Sequence, residues 1–316
     1  MKRVLTAAAL IPVVLLIVFK APLWLFALMV AAIIALALHE YLGIIEAAGL
    51  KPFRRSTYVA GVLPIILSLA YAMWHAASTG PHNLAYPLDR VMFWVAAGFL
   101  VAGPLVFGIP LVLRKDIRQG ISSVASSFFS VVYISVSLSL LISLREDPFK
   151  DLLVIFILFS VWAGDIAAYY VGKNFGRHKL SPIVSPNKSW EGAIASIIAS
   201  IFVAWLVFHF QEQISSFFWR DPNHLPFYGI LANKVGIRAT VSRPHVIVLG
   251  VITNIAAQFG DLFESALKRG AGVKDSGTLL PGHGGLLDRI DALLFAIPVV
   301  WYYANLSGIL RPSFLQ

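Results

Sequence analysis

The sequence has little charge and no cysteine. Only 13% of its 316 residues are charged, against about 25% in an ordinary soluble domain. Sixteen acidic and 25 basic side chains are too few to cover a soluble particle of this length, and 58% of the residues are hydrophobic. A soluble globular protein is therefore excluded. The absence of cysteine excludes a disulfide framework, a thiolate metal site and a cysteine nucleophile. No internal repeat and no low-complexity linker divides the chain. The net charge of +9 does not point to nucleic acid, because the basic residues sit in short loops between apolar runs. That is how topology signals and anionic-headgroup contacts are arranged.

What the sequence does have is apolar runs of about 20 residues, the length needed to cross a hydrocarbon core of about 30 Å. The expected fold is an all-α polytopic membrane protein, a single integral membrane domain over 1–316. Residues 1–150 supply N-terminal helices, and 151–316 supply the helices and loops that carry the chemistry. About nine spans are read at 4–19, 22–46, 57–77, 91–113, 121–143, 151–172, 192–210, 245–267 and 292–310. Lys2-Arg3 and the run after them lack a convincing small-residue cleavage site, so this is read as a retained first helix. The fifth span is rich in serine, which points to close helix packing. With nine spans, sixteen of the 25 basic residues share the side of the N-terminus, which is then expected to be cytoplasmic. The loops 173–191 and 268–291 fall on the same side.

Carboxylates within apolar runs are expensive, about 2.5–3.5 kcal/mol at a helix centre, and so mark function. Asp165 lies inside the sixth run, with no basic residue near it in sequence. Asp261 and Glu264 close the eighth, where they can pair with Lys268 on the same helix face. Asp288 and Asp291 open the ninth, three residues apart, and either cap it or serve a site. Glu40, beside His39 in the second run, reads mainly as a packing or interfacial residue. Carboxylates without His or Cys partners suit a hard cation such as Mg²⁺, which takes one or two carboxylates plus phosphate oxygens. Lys173, Lys179, Lys188, Lys268, Arg269, Lys274 and Arg289 surround them in sequence, interleaved with glycine turns at 172, 176, 270, 272, 282, 284 and 285. Metal-binding carboxylates, cations and glycine turns together make a kit for phosphoryl or nucleotidyl transfer. The residues alone lead to a metal-dependent reaction on a phosphate substrate at a membrane. An ion-coupled transporter would also use intramembrane carboxylates, but it predicts inverted repeats, and none is visible.

Residues 265–291 read Ser-Ala-Leu-Lys-Arg-Gly-Ala-Gly-Val-Lys-Asp-Ser-Gly-Thr-Leu-Leu-Pro-Gly-His-Gly-Gly-Leu-Leu-Asp-Arg-Ile-Asp. This segment closely resembles the signature of the phosphatidate cytidylyltransferases, the CDP-diacylglycerol synthases. An upstream block is similar to the same family: Asp165 to Tyr169, Gly172, Gly176, and Ser185-Pro-Asn-Lys-Ser-Trp-Glu-Gly192. The resemblance implies a divalent-metal-dependent nucleotidyltransferase of phospholipid biosynthesis that joins CTP to phosphatidic acid and releases pyrophosphate. On that expectation Asp165, Asp261, Asp288 and Asp291 hold Mg²⁺, with room for a second metal ion. Lys188, Lys268, Arg269, Lys274 and Asp288 are the catalytic set. Ser185, Lys173, Arg289, His283 and the Gly284-Gly285 backbone bind substrate, His283 as a hydrogen-bonding or positioning residue. The expected partners are CTP, phosphatidic acid, membrane lipids and a second copy of the chain, not nucleic acid. The expected location is a bacterial inner membrane, with the active site facing the cytoplasm.

Overall fold

The structure is a computed structural model, in which residues 14–18, 20–78, 105–113, 117–146, 151–211, 213–214, 241–279 and 284–307 are described. It is helical, as the apolar runs require. The helices are α1 Leu23–Ala47, α2 Arg54–Ser78, α3 Ile117–Ser130, α4 Ser137–Glu146, α5 Asp151–Phe175, α6 Trp190–His209, α7 Arg243–Gly270 and α8 Leu287–Ser307. Among the described residues, six helical stretches are long and apolar enough to cross a membrane: α1, the continuous 119–145, 152–175, α6, α7 and α8. At 1.5 Å per residue, a 25-residue helix such as α1 is about 37 Å long. α2 is also 25 residues long, and after its first turn, Arg54-Arg55-Ser56-Thr57, it covers the predicted span 57–77. The predicted spans 4–19 and 91–113 and the loop 211–244 lie largely outside the described residues. Exposed Ile194, Ile198, Phe202 and Trp205 recur at helical spacing on α6, a stripe suited to hydrocarbon. This is a polytopic membrane protein.

The chain forms two compact units, each drawn from separate stretches. The first takes Pro22–Ser143 and Glu264–Ile290. In it α1 stops at Ala47 because Gly49 adopts φ +82°, and the Leu50 N–H returns to the Ile45 carbonyl at 3.2 Å. This is a glycine-closed C-terminus. Arg54, opening α2, then pairs with both carboxylate oxygens of Glu46 at 2.7 and 2.6 Å. The Phe53 N–H donates to Ser127 of α3 at 2.9 Å.

α3 continues into α4 through a π-helical turn, Val131–Val136. The serines flanking it turn back on their own helix: Ser123 donates to the Gln119 carbonyl at 2.6 Å, Ser130 to Ser127 at 2.7 Å and Ser139 to Val136 at 2.8 Å. Such back-bonding competes with the helical ladder and bends it. Of these, Ser123 and Ser130 are fully buried, so the close packing expected of this span is observed.

The second unit includes Leu144–Phe263 and Asp291 onward. Here α5 and α6 pack along one another, with Phe156 and Phe208 ring centroids 5.9 Å apart. A short antiparallel hairpin joins them, β1 Lys179–Ser181 and β2 Ser185–Ser189, with Lys179 opposite Ser189 and Ser181 opposite Ser185. This is the one addition to an otherwise helical fold among the described residues. Ser189 caps α6 by accepting the Gly192 N–H at 3.2 Å. Glu191, in the first turn, holds His178 Nδ1 at 2.7 Å. Asn254 and Gln258 of α7 reach α6 through Ser196 Oγ at 2.8 Å and the Ala193 carbonyl at 3.1 Å.

Candidate functional site

In the first unit the chemistry begins where α7 ends. Gly272 adopts φ +71°, and the Val273 N–H returns to the Lys268 carbonyl at 2.9 Å. The helix therefore stops at Gly270, one residue after its basic pair. Lys268 and Arg269 occupy the last turn, where the partial negative charge of the helix end favours cations. Arg269, Lys274 and Arg289 are exposed. Lys268 is only 12% exposed and pairs with two carboxylates: Glu264, fully buried one turn earlier, and Asp288 Oδ1 at 2.5 Å.

Asp288 sits in the first turn of α8 and is 11% exposed. Its Oδ2 accepts the N–H groups of Gly285 at 2.8 Å and Ser276 at 3.0 Å. The sequence left open whether Asp288 caps a helix or serves a site. Its carboxylate in fact ties together three chain segments: the end of α7, the Ser276 turn and the start of α8. Glycine is required on both sides of this knot. Gly284 adopts φ +82°, and a Cβ there would lie 2.7 Å from Asp288 Oδ2. A Cβ on Gly285 would meet Ser276 Oγ and lie 2.5 Å from Glu40 Oε2. The Gly285 N–H therefore donates within the chain.

The residue that sequence reasoning passed over is Glu40. It stands seven residues before the end of α1 and accepts three donors from the signature segment. These are the Leu287 N–H at 2.7 Å, the Leu286 N–H at 2.9 Å and the Ser276 hydroxyl at 3.2 Å. The signal was a glutamate within an apolar run with no lysine or arginine near it in sequence, the feature that singled out Asp165.

In the second unit β2 positions Lys188, whose Nζ lies 2.5 Å from Asp261 Oδ2 of α7. Two predicted site residues thus meet. Asp261 takes this partner, while Glu264 takes Lys268. Ser185 begins β2 opposite Ser181. Lys173, in the last turn of α5, stands 5.8 Å above the Tyr169 ring. Asp165 is exposed on α5, whereas Asp291 is buried in α8 with Oδ1 accepting the Ala292 N–H at 2.8 Å. His283 lies outside the described residues. Among the described residues no three carboxylates or histidines converge closely enough to form a complete metal cage.

Comparison with known proteins adds a second line. The profile of the cytidylyltransferase family matches residues 1–307. A Haemophilus influenzae protein named phosphatidate cytidylyltransferase is 31% identical over 309 residues, 96% of this chain and 97% of that protein. Proteins of the same name from Thermotoga maritima and Brucella suis are each 35% identical. The first alignment covers 64% of this chain and 67% of the relative, and the second covers 65% of each.

Proposed function

The chain belongs to the cytidylyltransferase family, and from that premise we propose that it transfers the cytidylyl group of CTP to phosphatidic acid, giving CDP-diacylglycerol and pyrophosphate for phospholipid biosynthesis. One observation carries the reading: the full-length match to a relative of that name. The 265–291 signature, folded around Lys268 and Asp288, supports it.

In this reaction a phosphate oxygen of phosphatidate bonds to the α-phosphorus of CTP. The bond from that phosphorus to the bridging oxygen breaks, and pyrophosphate leaves with the electron pair. The attacking phosphate monoester is largely ionised at neutral pH, so no general base is needed. The protein's task is to position two anionic substrates and neutralise charge that develops on the leaving oxygens. Lys188, Lys268, Arg269 and Lys274 are the cations for that work, and Asp288 acts by holding Lys268. Ser185, Lys173, Arg289, His283 and the Gly284-Gly285 segment complete the proposed substrate contacts, the Gly285 N–H excepted because it is given to Asp288. The acyl chains of phosphatidate remain in the bilayer while CTP enters from water.

Mg²⁺ belongs to the proposal, with a second ion admitted. The donor chemistry fits: the candidate ligands are oxygen donors, and Mg²⁺ requires only one or two carboxylates besides phosphate oxygens. Asp261 and Asp291 would hold it, with Asp165 a further candidate from the same unit. Asp288 was expected in this set, but as folded it already shares a cation with Glu264. The bound ion would supply charge neutralisation to the triphosphate. The same reading places nine spans in a bacterial inner membrane, with the N-terminus and active site on the cytoplasmic side, and a homodimer as the assembly.

The test is turnover by purified protein in detergent–lipid micelles, with labelled CTP and either phosphatidate or a polyprenol. CDP-lipid formed only with phosphatidate, and lost on chelating Mg²⁺, is the expected result. A phosphorylated alcohol with release of CDP would overturn the reading in favour of a kinase.

A further inference from the structure

Glu40 is a buried carboxylate that accepts three donors in the signature region, yet it comes from the other end of the sequence. It is 6% exposed in the last third of a 25-residue, mainly apolar helix, where a buried carboxylate persists only if donors satisfy it. The three donors are the N–H groups of Leu286 and Leu287, at the start of α8, and the Ser276 hydroxyl. Two signature glycines are shaped to it: a Cβ on Gly277 would lie 2.7 Å from Glu40 Oε1, and one on Gly285 2.5 Å from Oε2. The fit is therefore made from both sides, by a carboxylate and by the small residues that admit it.

Ser276 is the hub. Its hydroxyl donates to Glu40 and accepts the Asp288 N–H at 3.3 Å, while its own N–H donates to Asp288. Asp288 in turn holds Lys268. An unbroken chain of hydrogen bonds runs from Glu40 through Ser276 and Asp288 to the Lys268 ammonium. Glu40 thus supplies an anion to the amides at the α8 N-terminus, where the helix end favours one.

We propose that Glu40 is a positioning residue of the transfer reaction: by clamping Ser276 and the first amides of α8, it fixes Asp288 and thereby sets the location of the Lys268 ammonium. This rests on the reading of Lys268 as a catalytic cation. The carboxylate form is required because all three partners are donors. Glutamine keeps the shape but turns an amide N–H₂ towards at least one of them. Aspartate keeps the charge and the acceptors but is one methylene shorter.

The test compares wild type, Glu40→Gln, Glu40→Asp and Ser276→Ala in detergent–lipid micelles. It measures kcat and KM for CTP, thermal unfolding, and amide hydrogen exchange in the peptide containing Leu286 and Leu287. The expected result for Glu40→Gln is a kcat about 10²-fold lower, the scale of a small misplacement of a reacting group. KM for CTP should stay within a few-fold, unfolding should remain cooperative, and exchange at 286–287 should be about tenfold faster. Glu40→Asp should recover part of kcat, and Ser276→Ala should lower kcat without faster exchange at Leu287. Wild-type kcat and exchange in Glu40→Gln would overturn the proposal. So would a loss of activity that only tracks the loss of folded protein. If wild type makes no CDP-lipid, the functional reading fails, and unaltered exchange in Glu40→Gln would separately refute the clamp.

Discussion

Each unit contains a lysine–carboxylate contact drawn from the residues that the sequence singled out, and the two contacts are physically different. Lys188 and Asp261 form a single pair with side chains 25% and 38% exposed. Lys268 lies between two carboxylates and is nearly buried with them. An open pair is screened by solvent and worth about 0–1 kcal/mol, so a triphosphate can compete for its lysine at little cost. A buried group resists such exchange, because removing one member strands the others away from water. The first contact suits a residue that engages substrate, the second a residue held in a fixed place.

Lys268→Ala should break the contrast most severely. It strands Glu264, which is fully buried, and should cost about 3–5 kcal/mol, read by thermal or denaturant unfolding in detergent, with activity lost as well. Replacing both partners, Lys268→Met with Glu264→Gln, should recover most of the stability and none of the activity. Asp288→Asn is next. It keeps the shape but loses the charge facing Lys268, and turnover should fall by about 10²–10³-fold, the scale of losing one fixed electrostatic contact. Expression should be retained, and near-normal turnover would remove Asp288 from the catalytic set. Lys188→Ala should show the opposite balance. Stability should change by about 1 kcal/mol or less, while KM for CTP rises by about 10-fold or more, as for loss of a charge-assisted hydrogen bond. The smallest effect is expected from Ser189→Ala, which removes the α6 cap and should cost about 1 kcal/mol with kcat unchanged.

Much of this was legible in the sequence, for reasons tied to particular residues. The helices announce themselves because a lipid-facing segment must be apolar along its whole length. α1, α5, α6 and α7 accordingly begin and end within about three residues of the expected limits. α8 begins at Leu287 rather than 292, because polar Asp288 and Arg289 disguise its first turn in a hydropathy reading. The π-helical turn at Val131–Val136 left no signal beyond the serines around it, since its ladder shift is a backbone event. The hairpin of β1 and β2 was hidden in what looked like a polar loop.

The site divided in the same way. Pairs close in sequence, such as Glu264 and Lys268, follow from helix periodicity. Lys188 with Asp261, and Glu40 with Leu286 and Leu287, span 73 and about 246 residues, and no local pattern encodes them. Glu40 shows what a single sequence conceals: a buried carboxylate can be recognised as costly, while its partners remain unknown until the chain is folded.

The most direct measurement follows CTP labelled separately at the α- and γ-phosphates through one turnover with phosphatidate. Cytidylyl transfer predicts that all α-label enters the lipid and all γ-label leaves as pyrophosphate. γ-Label in the lipid, or no transfer by protein shown to be folded, would contradict it.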